Sequence, residues 1–202
     1  MTQPPICLDL CCGLGGWTEG FLAVGYECHG YDIKDFNYPG TLHLQDIRQT
    51  VDIAAMWIGR VDVIVASPPC NEFTIRDLPW GRKKDLPPPD TSIVEACYQL
   101  RDLIRPRVFL LENVRGAQPW IGRAPAHRGP YYFWGDVALL PFLPVEFKKG
   151  VTFGTYKSNG NKVTQHRHSY KENIWGHHPE LRAKIPWPLA QGYAQLCIRN
   201  AP

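Results

Sequence analysis

Apolar residues along the chain come in short runs that stop abruptly at glycine, proline or an acid. Ile6-Cys7-Leu8-Asp9-Leu10-Cys11 is one such run, and a run of that length reads as a strand buried on both faces. It breaks into Gly13-Leu14-Gly15-Gly16, after which Trp17 to Val24 can form a helix closed by Gly25. Tyr26 to Tyr31 resumes as a strand ending at Asp32-Ile33, and Val61 to Ala66 is another, stopped by Ser67-Pro68-Pro69-Cys70. From Asn71 to Asp90 the chain is polar and proline-rich, which predicts a long loop. Ser92 followed three residues later by Glu95 predicts a capping box. Ile93, Ala96, Cys97, Leu100 and Ile104 then recur at helical spacing until Pro106. Arg107 to Leu111 is the next strand, ending at Glu112-Asn113. Strand, helix, strand, helix in this alternation predicts an α/β fold with a parallel sheet. Past residue 115, Val145–Val151 and Val163–Tyr170 suit a hairpin turned at Ser158-Asn159-Gly160-Asn161. A final helix has Pro188 near its start and Leu189, Tyr193, Leu196 and Cys197 on one face.

A chain of 202 residues with 44% hydrophobic and 20% charged positions has the make-up of one folded domain with a core of its own. Disorder, collagen and coiled coil are excluded. No apolar run approaches the roughly 20 residues of a membrane span, and Met1-Thr2-Gln3-Pro4-Pro5 lacks a signal-peptide pattern. The expected compartment is therefore a reducing cytoplasm, in which the 7 cysteines read as thiols. The net charge of +3 hides an asymmetry: residues 1–60 carry −4 and residues 61–202 carry +7. Between Lys148 and Lys171 there are 6 Lys/Arg, 3 aromatics and no acid. An acidic first part and a basic remainder suit a cationic cofactor at one end and a polyanion at the other.

The unusual clusters all fall at predicted strand ends, where open α/β sheets bind ligands. Glycines after the first strand let backbone approach a ligand, Asp9 can hold that loop, and Asp32 ends the second strand where a carboxylate takes ribose hydroxyls. That spacing favours a nucleoside-containing cofactor without separating a nicotinamide dinucleotide from S-adenosylmethionine. Ser67-Pro68-Pro69-Cys70 resembles the Ser-Pro-Pro-Tyr motif of methyltransferases acting on exocyclic amino groups, with a nucleophile where the stacking aromatic would stand. The other cysteines lie in apolar elements and read as small buried hydrophobes. Glu112, one strand away, can hydrogen-bond a cytosine's N3 and N4 edge as a thiolate adds to C6. Paired histidines at 166/168 and 177/178 lack the companions of a metal site, so no metal is expected. Tyr131-Tyr132-Phe133-Trp134 reads as core or a packing lid ahead of a base-stacking platform.

Asp-Leu-x-x-Gly-Leu-Gly-Gly-Trp, Pro-Pro-Cys-Asn and Glu-Asn-Val, in this order and spacing, resemble the cytosine-C5 DNA methyltransferases, densely over residues 6–115. The resemblance implies a Rossmann-like S-adenosylmethionine-dependent sheet with helices on both faces. It implies cofactor contacts from Asp9, Gly13, Leu14, Gly15, Gly16, Trp17 and Pro68, with Asp32 on the ribose and Ile33 on the adenine. Asp46-Ile47 would correspond to the acid that meets the adenine amino group. Cys70 would be the nucleophile and Glu112 the acid on the base edge. Gln165-His166-Arg167 looks like the start of the Gln-x-Arg-x-Arg motif, so Arg167 is carried over, while Ser169 stands where the second arginine would be. Residues 183–190 resemble the motif that closes the cofactor pocket, preceded by Arg182-Ala183 in place of the usual Gly-Asn. Only 17 residues separate Arg167 from Ile185, which leaves no room for the family's target-recognition domain.

The expectation is one catalytic domain over 1–202. Residues 6–115 form its core, 116–181 a basic nucleic-acid-facing part, and 182–202 a helix returning to the cofactor pocket. It would methylate cytosine C5 in double-stranded DNA at a site of about one to three base pairs. Arg82, Lys83, Lys84, Lys157, Lys162 and Gln165 would hold the nucleic acid. Such a compact enzyme, expected as a monomer, would suit a bacteriophage or mobile element evading restriction in a bacterial host cytoplasm. RNA as the substrate, on the pattern of the family's tRNA-acting branch, and an inactive nucleic-acid-binding relative are the alternatives.

Overall fold

The computed structural model describes residues 3–77, 85–138 and 184–199. In chain order they form β1 (Ile6–Leu10), α1 (Gly16–Leu22), β2 (Glu27–Asp32), β3 (Thr41–Leu44), α2 (Thr50–Trp57) and β4 (Val63–Ala66). There follow α3 (Asn71–Asp77), α4 (Ser92–Ile104), β5 (Val108–Asn113), a 3₁₀ turn (Arg115–Ala117), α5 (Gln118–Ile121), β6 (Ala126–Arg128), β7 (Tyr131–Gly135) and α6 (Trp187–Arg199). The strands make one sheet in the order β3-β2-β1-β4-β5-β7-β6. The first five are parallel; β7 runs antiparallel to β5 and to β6. This is the Rossmann-like α/β arrangement expected. The order reverses between β1 and β4, so the loops leaving these two strands flank a crevice at the switch point.

Alternation along the strands divides the interior into two layers. On one face Leu8, Leu10, Ile64, Phe109 and Leu111 pack with Ile53 and Trp57 of α2 and Leu100 and Ile104 of α4. On the other, Cys7, Val63, Val65, Leu110, Tyr131 and Phe133 pack with Trp17 and Phe21 of α1 and Leu189 and Tyr193 of α6. The helices α1 and α6 meet closely because Gly20 carries no side chain against the Ala190 backbone. A Lys184–Glu19 ion pair of 2.6 Å adds to the contact.

Several expected elements shift. The loop expected over 71–90 begins as α3: Thr74 N–H bonds the Cys70 carbonyl at 2.8 Å and Phe73 is buried, so one apolar anchor suffices for two turns. Ser92 is not the cap of α4. Thr91 holds that place, its hydroxyl bonding Glu95 at 2.5 Å while Asp90 accepts the Ser92 N–H at 2.8 Å. The helix ends at Arg105, which turns left-handed (φ 56°) before Pro106. Among the elements with no counterpart in the sequence reading are β3 and α2: β3 is a four-residue edge strand without a buried residue, and α2 lacks a side-chain cap. The strand expected to end at Glu112-Asn113 does so, its last two residues held by β7, which pairs Phe133 with Glu112 and Tyr132 with Asn113. The aromatic run 131–134 is thus a core strand, with Tyr131, Phe133 and Trp134 buried. The hairpin expected over 145–170 lies outside the described residues.

Candidate active site

The loop after β1 is built around backbone that bends the wrong way for most residues. Cys11 (φ 57°), Gly13 (φ 49°) and Gly15 (φ 70°) are all left-handed, a costly conformation for a residue with a β-carbon and a free one for glycine. Asp32, at the end of β2, accepts the Gly13 N–H at 3.0 Å and the Lys34 N–H at 3.1 Å. Space beside the Gly13 Cα is open, and Ile33 next to Asp32 is 78% exposed. An open backbone, a carboxylate and a bare aliphatic side chain thus converge at the carboxyl ends of β1 and β2.

Other residues expected at a cofactor are turned elsewhere. Asp9 is 1% exposed and accepts the Thr18 hydroxyl at 2.8 Å, so it fastens α1 to the sheet instead of the glycine loop. Its Oδ1 is buried with no hydrogen-bond partner among the described residues, and burial pushes the carboxyl up to about 8. Trp17 is equally sealed, edge-on to Phe133 and Tyr193. Gly15 backs onto Pro39, and Gly16 onto the Ile185 backbone ahead of α6; their lack of side chains serves packing. Leu14 is half-buried. Ile47 is a core residue beneath α2, and Asp46 is engaged by Arg48 at 2.5 Å, which holds its carboxyl below the usual range. Pro68 is buried, with its carbonyl taken by Asn113 Nδ2 at 2.9 Å.

The two candidate reacting groups do come together. Cys70, partly exposed, precedes α3. Burial pushes its thiol up, the nearby Glu112 charge pushes it further, and a hydrogen bond with Thr74 pulls it back. Glu112 is 9% exposed on β5. Burial raises its carboxyl to about 8, against a hydrogen bond with Ser67. At neutral pH Glu112 therefore holds its proton, and in that form it neither repels a thiolate at Cys70 nor lacks a proton to donate. The loop between them is clamped from β5 onward. Asn113 holds Pro68 and its Oδ1 accepts the Val114 N–H at 2.8 Å. Arg115 pairs with Asp77 at 2.9 Å, and Gly116 lets the 3₁₀ turn lie against the Phe73 carbonyl.

Ser67, Thr74 and Asn113 carry no role in the sequence reading. For Ser67 the signal was present, since it continues the alternation Val63, Val65 onto the face that carries Glu112. Arg82, Lys83, Lys84, Lys157, Lys162, Gln165 and Arg167 lie outside the described residues, as do the histidines at 166, 168, 177 and 178. Among the described residues there is no cluster of three metal-ligating side chains, and no helix is long and apolar enough to cross a membrane.

A family model described as C-5 cytosine-specific DNA methylase matches residues 6–119. The Type II methyltransferase M.AplI of Arthrospira platensis is 34% identical over 117 residues, covering 55% of this chain and 32% of the relative. M.AgeI of Thalassovita gelatinovora is 28% identical over 131 residues, covering 58% and 29%. The chain thus spans about a third of the length of these curated relatives. Among solved structures, a variant of Spodoptera frugiperda DNMT2 aligns with a TM-score of 0.39 and 24% identity, covering 58% of this chain and 38% of that one.

Proposed function

The chain belongs to the C-5 cytosine-specific DNA methylase family, and from that premise we propose that it transfers a methyl group from S-adenosylmethionine to C5 of a cytosine flipped out of double-stranded DNA. The observation that carries the reading is the placement of a partly exposed thiol, Cys70 at the start of α3, where it feels the charge of Glu112, a buried carboxyl at the end of β5.

Cytosine C5 is a weak nucleophile. Addition of the Cys70 thiolate to C6, with a proton from Glu112 to N3, makes the C5–C6 unit enamine-like and C5 electron-rich. S-adenosylmethionine supplies an electrophilic methyl group at that point. A base then removes the C5 proton, the C6–S bond breaks, the N3 proton returns to Glu112, and Cys70 and the methylated base are released. The target carbon is stacked in a duplex, so the base must leave the helix to reach Cys70.

The residues present fit the cofactor. The open space at Gly13, the Asp32 carboxylate and the exposed Ile33 offer a close approach to backbone, a partner for ribose hydroxyls and an apolar platform for adenine. Asp46, two residues past β3, is assigned to the adenine amino group, which it would meet by giving up part of its contact with Arg48. Arg82–Lys84, Lys157, Lys162 and Gln165 are assigned to the nucleic acid and Arg167 to the catalytic centre. The 17 residues between Arg167 and Ile185 support a short target site, and we assign action as a monomer.

The test is to incubate the protein with S-adenosylmethionine and a duplex of varied sequence containing 5-fluorocytosine, then run a denaturing gel. Fluorine blocks the final proton loss, so an adduct that forms in the wild type and not in Cys70→Ser is the expected result. An adduct on RNA alone would change the substrate. None on either would overturn the methyltransferase reading.

A further inference from the structure

The Trp17 indole N–H, buried away from the cofactor loop, meets the Ser67 hydroxyl at 3.1 Å. Val63 and Val65 of β4 face α1 and α6, and alternation puts Ser67 next on that face. On the neighbouring strand Leu110 faces the same way, and Glu112 follows it. Because Val65 pairs with Leu110 and Ala66 with Leu111, one more step of the register sets Ser67 beside Glu112, close enough for its hydroxyl to pull the buried carboxyl back down. An indole N–H can only donate, and a serine hydroxyl has a single hydrogen to give. The Ser67 oxygen accepts from Trp17, so its hydrogen is left for Glu112.

Resting on the methyltransferase reading above, we propose that Trp17 and Ser67 are positioning residues: a one-way chain of donors that engages one carboxyl oxygen of Glu112 and leaves the acid's proton on the other, for the base. Donation by Ser67 stabilises the ionised form and partly offsets burial, so Glu112 both keeps its proton at neutral pH and can release it. The titratable groups that feel the Glu112 charge are Cys70 at the start of α3 and Tyr131 on β7. From β4 the group that touches it is Ser67. Trp17 is fixed in turn by Tyr193 of α6, ring centroids 6.0 Å apart, which links the last helix to the orientation of the acid.

The chain is tested by following the Glu112 side-chain carboxyl by NMR in ¹³C-glutamate-labelled protein from pH 5 to pH 10, the resonance being assigned by its loss in Glu112→Gln. In Ser67→Ala the titration midpoint should rise by about one pH unit. Ser67→Thr, which keeps the hydroxyl and guards against a folding artefact, should stay near wild type. Trp17→Phe should rise by less, and the Trp17→Phe/Ser67→Ala double variant should match Ser67→Ala alone. In turnover, Ser67→Ala should lower kcat about tenfold, the worth of one hydrogen bond to a charged group, while its alkaline limb moves to higher pH. A midpoint unchanged in Ser67→Ala, or additive shifts in the double variant, overturns the chain. Failure of the wild type to trap the fluorinated duplex overturns the methyltransferase reading and leaves the titration result standing on its own.

Discussion

Glu112 and Cys70 oppose each other electrostatically whenever both are charged, and burial resolves the conflict by keeping the carboxyl neutral. That resolution depends on where the Cys70 loop is held, and Asn113 is the residue that holds it. Its amide donates to the Pro68 carbonyl and its carbonyl accepts the Val114 N–H. Asn113→Ala leaves both groups unpaired in a buried setting, a cost of about 1–3 kcal/mol. We expect a lower urea midpoint together with adduct formation slowed by about tenfold. Asn113→Asp, which keeps the acceptor and loses the donor, should fall between. Adduct formation at the wild-type rate in Asn113→Ala would show that the loop is held by α3 alone. At this scale Cys70 and Glu112 were legible because each is an unusual residue at a strand end. Asn113 was not, because an asparagine after an acid says nothing about which carbonyl it will reach.

Among the elements, α1 and α6 show how far a single missing side chain can govern packing. A methyl group on Gly20 would lie 2.4 Å from the Ala190 carbonyl carbon and the Gln191 nitrogen. In an isolated helix alanine for glycine stabilises by about 1 kcal/mol. Here the two helices would have to separate, and Gly20→Ala should destabilise by about 1–3 kcal/mol, read as a lower denaturant midpoint at unchanged slope. A stabilised variant would mean that α6 is free to move away from α1. The opening apolar run, the glycine turn and the Leu100/Ile104 helix were legible from periodicity. The short helix α3 was not, since one buried phenylalanine in a polar stretch gives no period. The partner of the end of β5 was not legible either, because Glu112 and Asn113 pair with β7, an element no local pattern marked.

Among the described residues two acids, Asp9 and Glu112, are buried on the same face of the sheet, each raised by burial to about 8 from ordinary values of 3.8 and 4.5. A group whose pKa is higher in the folded state binds its proton more tightly there. Its contribution is complete below pH 4 and is lost as pH rises through 8, each carboxyl giving up to about 1.4 kcal/mol per pH unit between those limits. The protein should therefore melt at a lower temperature at pH 8 than at pH 5.5. The difference should shrink in Asp9→Asn, whose amide cannot ionise. Equal melting temperatures for the wild type at the two pH values would show that neither acid is raised.

The sequence by itself determined the alternation of strands and helices, the strand ends at which unusual residues gather, and the candidacy of Cys70, Glu112, Asp32 and the Gly13 loop. These follow from local pattern, because burial period and glycine conformation are properties of neighbouring residues. Only the tertiary structure decided which groups on those elements face one another. Trp17 and Asp9 lie in the same motif as Gly13, yet the first turns to Ser67 and the second to Thr18. Ser67 meets Glu112, and a glycine in α1 meets the backbone of α6 170 residues away along the chain. Those pairings depend on strand order and register, and the free energy that fixes both is the burial of two apolar layers shared by the whole sheet.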